Sequence, residues 1–155
     1  DNIPYVATML PVLRGERAPG AEDCRNMLRA ACLAGMAIAQ TGCSLPHALS
    51  YIPTYDLGTP HGAAVGIFLP GFIKEAPAEQ TAPMLEAAGF GDVAELERFL
   101  AACLTMPQLP QALREKAWAK IISNEAKMKS CCFPVDGDCL RRIAGAGGQG
   151  DGIQV

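Results

Sequence analysis

Aromatic side chains make up only 6% of this 155-residue chain, and histidine occurs twice. Half of the residues are nevertheless hydrophobic, so the apolar content rests on Ala, Leu, Ile, Val and Met rather than on the β-branched and aromatic mixture that strands favour. Helices are therefore expected. The basic residues form no stripe, and a net charge of −3 with a pI near 5.3 excludes the electrostatic footprint of a nucleic-acid binder. No apolar run reaches the roughly 20 residues a bilayer crossing needs; the longest, residues 63–73, is interrupted by Pro70. Asp1-Asn2-Ile3-Pro4 has neither a basic nor an apolar leader region, so no secretory signal and a cytoplasmic setting are expected. Seven cysteines form no Cys-x-x-Cys pair, which removes a zinc ribbon and a dithiol redox motif. Reduced, mostly buried thiols are expected instead. Bridging the adjacent Cys131 and Cys132 would strain a disulfide.

The length suits one domain with its own core. Residues 4–13 have a helical apolar spacing ending at Arg14-Gly15, and a polar loop follows over 15–20. Residues 21–40 carry the strongest helical pattern, with Cys24, Leu28, Ala31, Cys32, Gly35, Ile38 and Ala39 at three- and four-residue steps. Glu22 and Asp23 suit its positive end, Thr41-Gly42 stops it, and Ala30, Ala31, Ala34, Gly35 and Ala37 offer a small face for close packing. Ser44 is placed to cap a short helix over 45–51 that Pro53 ends, leaving 53–60 as a turn. Further helices are expected over 61–72, 80–88, 92–104 and 111–122, the last burying Leu113, Ala117, Trp118 and Ile121. Two short ones follow over 124–129 and 136–144. The Gly-rich residues 145–155 read as a flexible tail behind a helical domain of residues 1–144.

His47 and His61 stand fourteen residues apart on either side of a Pro-bounded loop, and a loop of that length can fold both imidazoles onto one point. Imidazole suits iron, zinc and nickel, so the pair would supply half of a coordination shell. Gly62 would let a bulky ligand approach. Cys43, one helical turn before His47, and Asp56, between the histidines, are alternative ligands; a buried thiol and a turn carboxylate are the simpler readings. Trp118 and the methionines at helical spacing read as core.

The surrounding residues carry more. Ala34-Gly35-Met36-Ala37, then Gly42, Pro46-His47-Ala48-Leu49-Ser50-Tyr51, Gly58-Thr59-Pro60-His61-Gly62-Ala63-Ala64 and Leu69-Pro70 resemble, in order and spacing, the iron-containing (group III) alcohol dehydrogenase family. Fainter resemblance continues through Gly89-Phe90, the helix over 109–122 and Cys132-Phe133-Pro134 onwards. The resemblance implies an all-α, multi-helix bundle like the C-terminal domain of the dehydroquinate synthase-like fold, holding a divalent metal, iron or alternatively zinc. By motif match His47 and His61 would be the last two metal ligands. The first two, an Asp and a His on an earlier helix, and the domain that mainly binds NAD or NADP, have no counterpart in these residues. A histidine that many relatives carry four positions after the first of this pair is Tyr51 here, so its role is not carried over.

The implied partners are a small alcohol or aldehyde and either the missing nucleotide-binding half or a second copy of the chain, with no nucleic acid and no membrane. Taken alone the chain is expected to be inactive. Two competing readings are a stand-alone helical binding or scaffolding module without catalysis, and a small zinc protein using Cys43, His47 and His61.

Overall fold

Residues 3–104 and 108–146 are described by the structure, a computed structural model, and every regular element among them is helical. In chain order these are α1 (Ile3–Ala7), α2 (Leu10–Leu13), α3 (Ala21–Thr41), α4 (Leu45–Leu57), α5 (His61–Glu75), α6 (Ala78–Ala87), α7 (Val93–Cys103), α8 (Gln111–Ile122), α9 (Glu125–Lys129) and α10 (Gly137–Ala144). The all-α class expected from composition is the one observed. The described residues fall into two units, one within Asp1–Cys43 and Pro77–Leu104, the other within Ser44–Ala76 and Thr105–Val155.

In the first unit the helix expected over 4–13 is two short ones. Pro11 has no N–H to donate to the carbonyl four residues back, so the helix lapses after Ala7 and restarts at Leu10 with Pro11 in its first turn. The long α3 starts and stops where its pattern indicates. Asp23 reaches back to accept the Gly20 N–H at 2.7 Å, and Arg17 grips the same carboxylate at 2.5 and 2.7 Å. At the other end Gly42 takes φ +69.

The small face of α3 is not packed as expected. Only Asp23 and Ala30 are buried along this helix, while Leu28 is 73% and Met36 63% exposed. Its main partner is the five-residue α1, too short to cover a helix of 21. The expectation of mostly buried thiols fails for the same reason: Cys24 and Cys32 lie on that uncovered helix, Cys132 is also exposed, and only Cys139 is buried. None of the seven forms a disulfide. The exposed Met27 and Met36 likewise depart from the core role given to the methionines.

Gly89 joins α6 to α7 with φ +83, and a Cβ there would meet Leu10 at 2.8 Å. Asp92 then caps α7 by accepting the Glu95 N–H at 2.7 Å, and Glu95 returns to the Gly91 N–H at 2.8 Å.

In the second unit α4 and α10 each pack on both α5 and α8, so four helices close around Leu45, Leu49, Phe68, Ala117, Leu140 and Ile143. The boundary expected at Pro53 is wrong, and the helix expected over 61–72 runs on to Glu75. α4 runs through Pro53 to Leu57 and α5 continues through Pro70. Pro53 is fully buried beside Leu49, so packing of its ring offsets the lost hydrogen bond. The true stop is Gly58 at φ +66, where the Thr59 N–H closes back on the Pro53 carbonyl at 3.2 Å. Ser44 is extended but makes no side-chain cap, and Pro46 in the first turn removes one donor that would have needed it.

Trp118 donates from its indole to the Gly137 carbonyl at 3.1 Å and stacks under the Arg141 guanidinium 4.1 Å away. It is partly buried against the core, as is Leu113, whereas Ala117 and Ile121 are buried outright. Gly145, expected to open the tail, is instead the left-handed cap of α10, and Ala146 is buried behind it. Arg114 fastens this end by donating to the Leu109 and Ala144 carbonyls at 3.2 and 3.1 Å. The rest of the expected tail, residues 147–155, lies outside the described residues.

Candidate metal centre

His47 sits in the first turn of α4 and His61 is the first residue of α5, so the turn at Gly58 returns the second imidazole to the first. Their ring centres are 4.7 Å apart at an interplanar angle of 81°. Two imidazoles ligating one ion at about 2.1 Å hold their ring centres roughly 4.5 to 5.5 Å apart for ligand angles of about 90 to 110°. The observed separation falls in that interval. As a donor set the pair fits a borderline-soft divalent cation and fills half of a four-ligand shell.

His47 is held below the ordinary histidine value first by partial burial and then by the positive charges of His61 and Lys127. A neutral His47 with a free lone pair follows. On His61, Nδ1 lies 3.5 Å from the Thr54 hydroxyl, which leaves Nε2 as the ring nitrogen open to a ligand. Tyr51 completes the cluster, its ring 5.2 Å from His47 and 5.8 Å from His61, and it is 40% exposed. His47, Tyr51 and Thr54 lie at i, i+4 and i+7 and so share one face of α4. Ending that helix at position 51 hid Thr54 from the sequence reading; the spacing itself was the available signal.

The alternative ligands are placed otherwise. Asp56 is in the last turn of α4 rather than in a loop, and Lys116 holds its carboxylate at 2.6 Å. Cys43 is only partly buried and closes the first unit, whereas both histidines belong to the second. Among the described residues no three or more His, Cys, Asp or Glu gather as a metal site. A self-sufficient Cys43-His47-His61 centre is therefore not formed. Thr59, two residues before His61, buries its hydroxyl with no hydrogen-bond partner. Among the described residues no helix is long and apolar enough to cross a membrane.

The chain is similar in part to known proteins. A match of 47% identity over 45 residues links it to a protein described as probable alcohol dehydrogenase EutG from Salmonella typhimurium; the matched stretch is 29% of this chain and 11% of that relative. No solved structure matches. The profile described as Fe-containing alcohol dehydrogenase family, C-terminal, covers residues 13–139, which takes in both histidines, the capped turn between them, and α4, α5 and α8 of the core. The chain belongs to the Fe-containing alcohol dehydrogenase family, of which it represents the C-terminal, helical part.

Proposed function

We propose that this chain supplies two imidazole ligands, His47 and His61, to a divalent metal, iron in the first instance and zinc as the alternative, in an enzyme exchanging hydride between an alcohol or aldehyde and NAD or NADP. The observation that carries the reading is the convergence of the only two histidines of the sequence. Such a cation, when bound, supplies Lewis-acid polarisation of the substrate oxygen. The residues of this chain do the rest of the local work. Partial burial keeps His47 neutral, the Thr54 hydroxyl orients the His61 ring, and Tyr51 walls one side of the pair.

Two ligands make half a shell, so the remaining ligands and the nucleotide site belong to other residues and the chain alone is inactive. The test joins the chain to a nucleotide-binding half of the family that carries the other two ligands. Metal is retained by the joined protein, and His47→Ala or His61→Ala lowers its affinity by at least about 100-fold, more than loss of an outer-shell partner. Unchanged metal content in both variants would remove the reading. NAD-linked alcohol oxidation by the 155 residues alone would contradict the division of labour.

A further inference from the structure

A second site lies away from the histidines, within the same unit. Residues between 122 and 137 line an open-mouthed cavity of about 650 Å³, a size suited to a small organic ligand. Its walls include Ile122, Met128, Phe133 and Val135 together with the adjacent Cys131 and Cys132. The charged groups around it are already engaged. Lys129 pairs with Glu125 at 2.9 Å, and Asp136 accepts the Cys139 N–H at 2.8 Å as the cap of α10. What remains is an apolar space with two neighbouring sulfurs, which selects against an ionic ligand and for a thiol-seeking one with an apolar body.

We infer that the Cys131–Cys132 cavity is a binding site for trivalent organic arsenicals and takes an arsenoxide whose aryl or alkyl group fills the apolar space. In the binding step each thiol gives up its proton, the arsenoxide oxygen leaves as water, and two arsenic–sulfur bonds replace the arsenic–oxygen double bond. Arsenic stays trivalent and no oxidant is consumed. A disulfide between the same residues would need its sulfurs at about 2.05 Å, a strained arrangement for adjacent cysteines. An arsenic bridge sets the two sulfurs further apart. Cys131 is pushed above the ordinary thiol value, chiefly by burial, with the Cys132 thiol hydrogen-bonded beside it. Cys131 is therefore protonated at neutral pH, a poor nucleophile on its own but in the form that condenses with an arsenoxide.

Phenylarsine oxide and the full chain test this by intact-mass spectrometry. The expected result is one phenylarsenic unit per chain that survives an excess of 2-mercaptoethanol, which strips single-sulfur adducts, and is released by 2,3-dimercaptopropanol. Cys132→Ser and Cys131→Ser each lose the resistant adduct; Cys24→Ser, Cys32→Ser and Cys139→Ser keep it. Because Cys132 is exposed, its variant separates loss of the site from loss of the fold. The cavity adds a second readout: the phenyl compound outcompetes its methyl counterpart by at least about tenfold, as burial of the ring requires. A resistant adduct that persists in Cys132→Ser, equal competition by the methyl compound, or no resistant adduct would each overturn the inference.

Discussion

At Gly71 the backbone of α10 comes so close to α5 that a Cβ would stand 2.8 Å from the Ile143 carbonyl oxygen and 3.3 Å from its Cα. Both obstacles are main chain and cannot rotate away. Gly71→Ala gains a little helix propensity but forces the two helices apart, and overpacking of this kind costs about 1 to 3 kcal/mol. Urea unfolding measures it, and a neutral or stabilised variant would show that the helices part easily. Thr59 is the opposite case. Its buried hydroxyl forfeits water and gains no partner, so the near-isosteric Thr59→Val stabilises the protein by about 1 kcal/mol. A destabilised variant would reveal that the hydroxyl is satisfied after all.

Among the elements, α10 is tied to α5 by a two-pronged ion pair, Arg142 donating to both oxygens of Glu75 at 2.8 Å. Cys139, one turn earlier, is pushed up to about 11, first by burial and then by its hydrogen bond to the Glu75 carboxylate and that charge. A folded-state value raised above the unfolded one contributes stability fully below the ordinary thiol range, near about pH 8.5, and loses it as pH climbs through about 11. The melting temperature therefore falls more steeply with alkali in the natural chain than in Cys139→Ala, and parallel curves would refute the linkage. Asp23, at the start of α3, has the opposite sign. The Arg17 guanidinium and the Gly20 N–H hold its carboxyl well below the usual range, so its contribution is present above about pH 4 and lost as pH falls further. Asp23→Asn is less stable than the natural chain at neutral pH, and in calorimetry the difference shrinks on acidification.

The same elements show what the sequence could and could not tell. The bounds of α8, the start of α3 and the return of His61 towards His47 were legible, because a 3.6-residue period, an acidic first turn and a Pro–Gly bounded loop are local signals. Pro53 misled, since its cost is local but part of the burial that offsets it comes from α8, far along the chain. Asp56 and Thr54 were misjudged as a consequence, one as a turn residue and the other overlooked. The exposure of α3 was illegible for a different reason. An apolar period says that a face can be covered and does not say by what.

At the scale of the whole molecule that uncovered face has a consequence in solution. Cys24, Leu28, Ala31, Cys32, Gly35 and Ala39 are all exposed and, stepping by three and four, form one stripe along a helix of 21 residues, about 30 Å long; Met36 and Ile38 flank it. Scattered exposed apolar residues are ordinary, but a continuous stripe is a surface that associates. Its middle is built of Ala and Gly, so two such helices can approach closely, and a closed two-fold pair buries Leu28 twice. The chain is therefore expected to self-associate, with a mass in analytical ultracentrifugation that rises with concentration. Leu28→Glu places a charge within each face and weakens association by at least about tenfold, since burying one leucine contributes about 2 kcal/mol, while helicity by circular dichroism stays the same. A natural chain that sediments as a monomer at every concentration would mean that the stripe, though exposed, has too little apolar area to hold two copies together.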